Sequence, residues 1–252
     1  MKLLVLPGFL GTRADFGPWL EHFHNEWTTR GGSAFTEVKT LAVCENPEWT
    51  PQVSWDEWLY DVVEKLESWK GREPVVAIGY SLGGRLLLSM AHQNPWLFSK
   101  LVLMSVNPGL KTNGERSERL KSDEAWAKRF ESESWTHLMR DWNAQGVFRG
   151  SIEEPERIED GYSRAALSEV LRCFSLGHQN DFREWLQTCK LPQLWIAGER
   201  DEKFVGYLKE IRGPAITREI IPDASHRVYL DQPLVTARGC AEFLCSSNLA
   251  TK

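Results

Sequence analysis

Apolar residues fall into two kinds of run along this chain. Lys2-Leu3-Leu4-Val5-Leu6, Pro74-Val75-Val76-Ala77-Ile78, Lys100 to Val106 and Gln193 to Gly198 are short and nearly continuously apolar, the pattern of strands covered on both faces. Between them the apolar positions recur at helical spacing. Phe16, Trp19, Leu20 and Phe23 mark a helix within Thr12 to Trp27. Trp55, Trp58, Leu59, Val62, Val63 and Leu66 mark a longer one capped by Ser54. Leu86 to Ala91 predicts a helix, and so do Val205 to Ile211 and Val235 to Leu244. Phe35 to Val43 and Arg218 to Ile221 predict two more strands, and Asn46 to Val53, with its two prolines, a loop. Strands alternating with helices predict an α/β fold, a mostly parallel central sheet with helices on both faces.

The alternation stops at Asn107-Pro108-Gly109-Leu110. From there to about Lys190 no strand is predicted. Helical segments rich in tryptophan and charge take over, at Glu115 to Phe130, Trp135 to Trp142, Ser163 to Ser175 and Asp181 to Thr188, with a loop around Pro155 and Gly161. The expected organisation is therefore a core of residues 1–106 and 190–252 with an inserted helical lid over 107–189.

Composition narrows the partners. The 252 residues carry a net charge of −5, which argues against a nucleic-acid-binding face. No stretch approaches the length of a membrane span, and Lys2 to Leu6 breaks at Pro7-Gly8, too short for a signal-peptide core. The cysteines are Cys44, Cys173, Cys189, Cys240 and Cys245, an odd set without metal-ligand spacing, which implies a reduced, cytoplasmic compartment. No cofactor is expected, and metal catalysis finds no support, because no histidine pair has ligand spacing with a carboxylate.

The candidate chemistry centres on Gly79-Tyr80-Ser81-Leu82-Gly83, a G-x-S-x-G between a predicted strand and a predicted helix. That context places the serine on a sharp turn at a helix N-terminus, where it can act as a nucleophile facing the positive end of the dipole. A serine hydroxyl needs a base, and the base needs an orienting acid. His226 follows the strand at Arg218 to Ile221, and Asp201 follows the strand ending at Gly198; Glu199 and Asp223 are alternative orienting acids. The glycine-rich turn Pro7-Gly8-Phe9-Leu10-Gly11 after the first strand makes the amides of Phe9 and Leu82 the expected oxyanion hole. The helical insertion adds Arg116, Arg119, Arg129, Arg140, Arg149, Arg157, Arg164 and Arg172, and Arg85 follows the serine turn directly. Guanidinium forks suit a small-molecule carboxylate substrate, although interleaved glutamates mark most of these arginines as solvated. Arg85 has the best position to face inward.

With these residues in view the chain resembles the α/β-hydrolase superfamily over nearly its full length. Within it, the chain is similar to the 2-succinyl-6-hydroxy-2,4-cyclohexadiene-1-carboxylate synthases of menaquinone biosynthesis. The resemblance lies in Gly8 to Gly11, in Gly79 to Arg85 and in Asn107 to Leu110. It continues in Glu115-Arg116, Arg119, Ser122 to Phe130, Asp141-Trp142 and Val147-Phe148, and ends in Gly198 to Phe204.

That resemblance implies an α/β-hydrolase fold and a lyase that eliminates pyruvate from a cyclohexene bearing several carboxylates. Ser81, activated by His226 and Asp201, would remove a ring proton, and the amides of Phe9 and Leu82 would hold the developing oxyanion. Tyr80, Arg85, Arg119, Trp142 and Lys203 match family positions that hold substrate, with Arg157 or Arg164 as a further lid arginine. Two features depart from the family: Pro7-Gly8 stands where it usually has His-Gly, and its Pro-Gly-His-Gly-x-Ser loop has no counterpart in Ala42 to Val53. The alternative activity is a carboxylic-ester hydrolase or thioesterase with Ser81 as covalent nucleophile. A non-catalytic binding scaffold is disfavoured by the intact serine, aspartate and histidine.

Overall fold

The computed structural model describes residues 1–45, 48–51, 54–152 and 154–246. Six strands, β1 (Lys2–Leu6), β2 (Glu37–Thr40), β3 (Val75–Tyr80), β4 (Lys100–Met104), β5 (Gln193–Gly198) and β6 (Ile216–Ile221), form one sheet in the order β2-β1-β3-β4-β5-β6. Every neighbouring pair is parallel. The helices are α1 (Gly17–Thr29), α2 (Trp55–Lys70), α3 (Leu82–Gln93), α4 (Asn113–Ser132), α5 (Trp135–Asn143), α6 (Arg164–Cys173), α7 (Arg183–Leu186), α8 (Glu202–Glu210), α9 (Val228–Asp231) and α10 (Pro233–Cys245).

Alternation along the strands splits the core into two faces. Leu4, Leu6, Ala77, Leu101, Leu103, Trp195 and Ala197 pack on the side of α2, α3 and α8. Leu3, Val5, Val76, Ile78, Val102, Met104, Leu194 and Ile196 pack on the other, against Trp19, Phe23 and Trp27 of α1 and Ala237, Cys240 and Ala241 of α10. Tyr80 belongs to this second face. All six residues of β3 are buried, as an interior strand of a parallel sheet requires.

The element boundaries differ from expectation where local chemistry decides them. The strand expected over Phe35 to Val43 is only Glu37–Thr40, an edge strand whose Glu37 and Val38 face solvent, while Leu41 to Cys44 leave the ladder and bury themselves. The helix expected from Thr12 begins at Gly17, because Ala14–Phe16 is a separate 3-10 turn and Pro18 suits a helix's first turn. The helix expected from Val205 begins at Glu202, because Asp201 caps it. The short α9 was not foreseen. The loop expected over Asn46 to Val53 lies partly outside the described residues. Between β4 and β5 the described residues form helices and turns without a strand, and a capping box of Thr112 with Glu115 starts α4.

Candidate active site

The turn from β3 into α3 is enforced by crowding. Ser81 takes φ 49° and ψ −112°, a strained conformation for a residue with a side chain, and caps α3. The chain can fold back this tightly only because its neighbours lack side chains. A Cβ on Gly79 would come 2.6 Å from Gly84 Cα, one on Gly83 2.2 Å from the Leu6 carbonyl oxygen, and one on Gly84 2.2 Å from Val106 Cγ2. Ser81 N–H donates to the Met104 carbonyl at 2.9 Å, which fixes the turn to β4.

Asp201 and His226 converge on Ser81 from the carboxyl ends of β5 and β6. The Asp201 carboxylate serves two partners: Oδ1 accepts the Phe204 amide at 3.4 Å as the cap of α8, and Oδ2 lies 2.8 Å from His226 Nδ1. An ionised carboxylate only accepts, so Nδ1 carries the proton and Nε2 is left as acceptor for the Ser81 hydroxyl, 3.1 Å away. Both ring and carboxylate are buried, and the His226 ring packs on Phe204 at 4.5 Å. Its carbonyl accepts the Ser105 hydroxyl at 2.8 Å, and Ser105 itself lies at φ 52° just after β4. The two alternative acids are elsewhere. Asp223 pairs with Arg200 at 2.8 Å, and Glu199 accepts the Asp223 amide, both in solvent.

The loop after β1 is pinned on both sides. Gly11 N–H closes a turn onto the Gly8 carbonyl, Leu10 takes φ 60°, its amide meets Cys44 Sγ at 3.4 Å, and its carbonyl accepts the Tyr162 hydroxyl at 2.8 Å. A Cβ on Gly8 would approach the Tyr80 ring to 2.9 Å, so any side chain there would force that buried ring to shift. This loop brings Phe9 to a cavity that Ser81 also lines.

Ser81, His226, Phe9 and Leu82 line one cavity of about 240 Å³. Its cations are Arg85, Arg119 and Lys203. Arg85 is buried and donates to the Phe174 carbonyl at 2.7 Å and to Gln179 Oε1 at 3.3 Å, both neutral oxygens. Burial, and then the Arg119 guanidinium, push its pKa down to about 9, which leaves it a cation at neutral pH. Arg119 is held by Asp123 at 2.7 Å, and Asp123 also accepts the Ser175 hydroxyl. Lys203 stands on the rim, more than a third of it in solvent, yet the protein on its inner side and then Arg119 hold its ammonium below the ordinary value. Trp126, Trp142, Phe148 and Phe174 supply aromatic walls, and Phe9 packs against Trp142 at 4.8 Å.

Three expected positions behave differently. The Tyr80 side chain does not line this cavity; strand alternation turns it to the α1 and α10 side, where it meets Tyr229 at 5.0 Å and borders a smaller cavity. Neither lid arginine candidate lines the large cavity. Arg157 forms a two-pronged ion pair with Asp15 and borders the smaller one, whereas Arg164 bonds Glu159 and the carbonyls of Phe130 and Glu133. Sequence reasoning passed over Asn107, Ser122, Asp123, Gln145 and Phe174 as lining residues. Only Asp123 carried a signal, four residues after Arg119 on one helix.

Among the described residues no helix is long and apolar enough to cross a membrane, and the five cysteines are free. The model of the alpha/beta hydrolase family matches residues 4–238. A 2-succinyl-6-hydroxy-2,4-cyclohexadiene-1-carboxylate synthase of Escherichia coli O1:K1 / APEC is 32% identical over 171 residues, 66% of this chain and 67% of that protein. The protein of that name from Salmonella paratyphi C is 29% identical over 256 residues, covering 96% of this chain and 93% of its own length. Among solved structures, MenH from S. aureus superposes with a TM-score of 0.79 over 97% of this chain and 93% of its own, at 23% identity, which bears on the fold. The chain belongs to the alpha/beta hydrolase family, and within it is similar to the 2-succinyl-6-hydroxy-2,4-cyclohexadiene-1-carboxylate synthases.

Proposed function

We propose that this protein is a pyruvate-eliminating lyase that acts on a polycarboxylated cyclohexene, a 2-succinyl-6-hydroxy-2,4-cyclohexadiene-1-carboxylate synthase working in the cytoplasm in menaquinone biosynthesis. The observation that carries the proposal is the grouping of Arg85, Arg119 and Lys203 around the cavity that holds Ser81. Even with the Asp123 carboxylate bonded to Arg119, cations outnumber anions in this cavity, which a neutral ester does not need, whereas carboxylates on a ring would engage them through charge-assisted hydrogen bonds. The relatives from Escherichia coli and Salmonella carry that synthase's name, one of them across nearly the whole chain.

In this reading Ser81 Oγ is the base. Its proton moves to His226 Nε2, 3.1 Å away, as Oγ takes a proton from a ring carbon. Asp201 holds the imidazole and stabilises the charge it gains. The carbanion's charge spreads onto an adjacent carboxyl or carbonyl oxygen, which the amides of Phe9 and Leu82 receive. Arg85, buried and bonded to neutral oxygens, anchors one substrate carboxylate; Arg119 and Lys203 hold another near the rim. Residues 107–189 act as a lid that keeps water from the carbanion.

Pyruvate release from the authentic cyclohexene substrate, followed through a coupled reductase, is the direct test. The wild-type chain is expected to release it, and Ser81→Ala to lose about 10²–10⁴-fold in turnover. No release above background would sink the lyase reading. The hydrogen-bonded Ser81–His226–Asp201 chain equally suits a carboxylic-ester hydrolase or thioesterase. Rapid labelling of Ser81 by a fluorophosphonate together with fast p-nitrophenyl ester turnover would favour that second reading.

A further inference from the structure

The peptide that offers the Phe9 amide is held at its other end. In a planar trans peptide the N–H and the preceding carbonyl point in opposite directions, so fixing one aims the other. The Gly8 carbonyl, which shares its peptide with the Phe9 N–H, accepts the Gly11 N–H at 2.9 Å. The Gly11 N–H in turn shares its peptide with the Leu10 carbonyl, and that carbonyl accepts the Tyr162 hydroxyl at 2.8 Å. A hydroxyl carried by the insertion is therefore joined to the Phe9 amide through two peptides and two hydrogen bonds. The Phe9 N–H itself has no acceptor among the described residues.

The loop needs a hold from outside. Pro7 brings it neither an N–H nor a polar side chain, and Gly8 and Gly11 leave its backbone free to turn. Leu10 lies at φ 60°, where a residue with a side chain stays only if its surroundings fix it. Cys44 Sγ, a weak acceptor, holds the Leu10 N–H at 3.4 Å, and Tyr162 holds its carbonyl. Tyr162 is itself well anchored. Its ring packs on Trp135 of α5 at 5.5 Å, and Trp135 Nε1 donates to the Arg157 carbonyl at 2.6 Å, which ties the stretch before Tyr162 to α5. Burial pushes its phenol up to about 12 against the pull of the nearby Arg157, so it is an O–H donor at neutral pH. Phe130 and Trp142 of the same insertion pack on the Phe9 ring at 5.3 and 4.8 Å. The insertion thus grips the ring of Phe9 directly and its amide through the loop.

We propose that Tyr162 is a positioning residue for the oxyanion hole, its hydroxyl aiming the Phe9 amide through the Leu10–Gly11 and Gly8–Phe9 peptides. The proposal rests on Phe9 as an oxyanion donor, which the lyase and the ester-hydrolase readings share. Hydrogen bonds in series polarise one another, so the Tyr162 O–H also strengthens the Phe9 N–H as a donor. The contact crosses from the insertion to the core, which gives the insertion a task beyond covering the cavity. With the insertion displaced, Ser81, His226 and Asp201 keep their bonds to one another, but one oxyanion donor loses its aim.

The test compares the full chain with Tyr162→Phe, which removes one hydroxyl and keeps the ring. The kcat for pyruvate release is expected to fall about tenfold, less than the roughly 10²–10³-fold that follows loss of an oxyanion donor itself. KM is expected to stay within about twofold, because neither Tyr162 nor Leu10 lines the larger cavity. In protein isotope-labelled at the phenylalanine nitrogens, the Phe9 amide resonance is expected to shift in the variant. Unchanged kcat in a folded variant would overturn the proposal, and so would a fall in kcat with the Phe9 resonance unmoved. If a thermal melt shows Tyr162→Phe to be unfolded, replacement of Tyr162 by 3-fluorotyrosine decides. That stronger donor of nearly the same shape is expected to move the Phe9 resonance, and no movement would overturn the relay. The donor reading is tested separately in wild type, by reacting Ser81 to completion with a fluorophosphonate. A Phe9 amide that ignores the adduct would overturn Phe9 as a donor, and the role of Tyr162 with it. A response in wild type, with equal kcat in Tyr162→Phe, would overturn the role of Tyr162 alone. If wild type releases no pyruvate, p-nitrophenyl ester turnover replaces that assay, and a tenfold fall there upholds Tyr162 while the lyase reading fails.

Discussion

Two arginines on neighbouring layers illustrate what a cation is for. Arg172, on α6, lies on the surface among Glu124, Glu131 and Glu169 at 2.8, 2.7 and 3.3 Å. Arg85, on α3, is buried, and its bonds go to a main-chain carbonyl and a side-chain amide oxygen. Acids satisfy the charge of Arg172 and leave it nothing to offer a ligand. Neutral oxygens position Arg85, and the carboxylate that acts on it, Asp123, is bonded to Arg119, so in the proposed reading Arg85 is the cation that meets a substrate carboxylate. The same arginine-rich composition therefore yields a solvated helix face in one place and the proposed anion site in the other.

Substitution of Arg85 presses hardest on this contrast. Arg85→Met removes a buried cation opposite a carboxylate, and the expected loss in kcat/KM is roughly 2–5 kcal/mol, about 30-fold to several thousandfold. It also strands Gln179 Oε1 and the Phe174 carbonyl, so a lowered melting temperature should accompany it. Unchanged kcat/KM in a folded variant would remove Arg85 from the anion site.

Lys203 should give an intermediate effect with a sign set by pH. Its ammonium is held below the ordinary value, first by burial and then by Arg119. In the proposed reading the protonated form holds a substrate carboxylate, so KM is expected to rise as pH climbs through that lowered pKa and to stay flat below it. Being partly solvated, the ion pair is worth about 0.2–1 kcal/mol, so Lys203→Met should raise KM by no more than about fivefold at neutral pH. Lys203→Arg should move the alkaline rise to higher pH, because a guanidinium keeps its proton. A KM profile from neutral to alkaline pH identical in wild type and Lys203→Arg would show that this lysine does not set it.

The smallest effect is expected on the surface. Arg172→Met should change stability by less than about 1 kcal/mol and leave kcat/KM within twofold, as measured by denaturant titration and steady-state kinetics. A larger loss of activity would mean that the outer cluster positions α6 for the site, and the division between inner and outer arginines would fail.

The framework of this molecule was legible because it depends on local pattern. Buried parallel strands write continuous apolar runs, and Gly79, Gly83 and Gly84 announce the tight turn that their missing side chains permit. The position of Ser81, Asp201 and His226 at strand ends followed from the order of elements. What escaped was decided by contacts between distant residues. Arg157 is committed to Asp15, 142 residues away, and no spacing within the insertion signals that pairing. On α4 only Asp123, Ala127 and Phe130 are buried, so the helix has no apolar stripe from which to tell that Arg119 turns inward and Lys128 outward. The side of the sheet on which Tyr80 lies was hidden for a different reason. Every residue of β3 is buried, so polarity gives no hint of sides; counting by two from Val76 and Ile78 would have placed it.

The hydrogen bond from Ser81 to His226 spans 145 residues, and that from His226 to Asp201 spans 25. The first crosses the full set of parallel pairings from β3 to β6, each of which needs its own crossover before it can form. A partly assembled sheet can therefore hold native helices and a native serine turn while its histidine is still nowhere near. Recovery of Ser81 reactivity after dilution from denaturant times that non-local closure, and it should lag behind the return of helical signal.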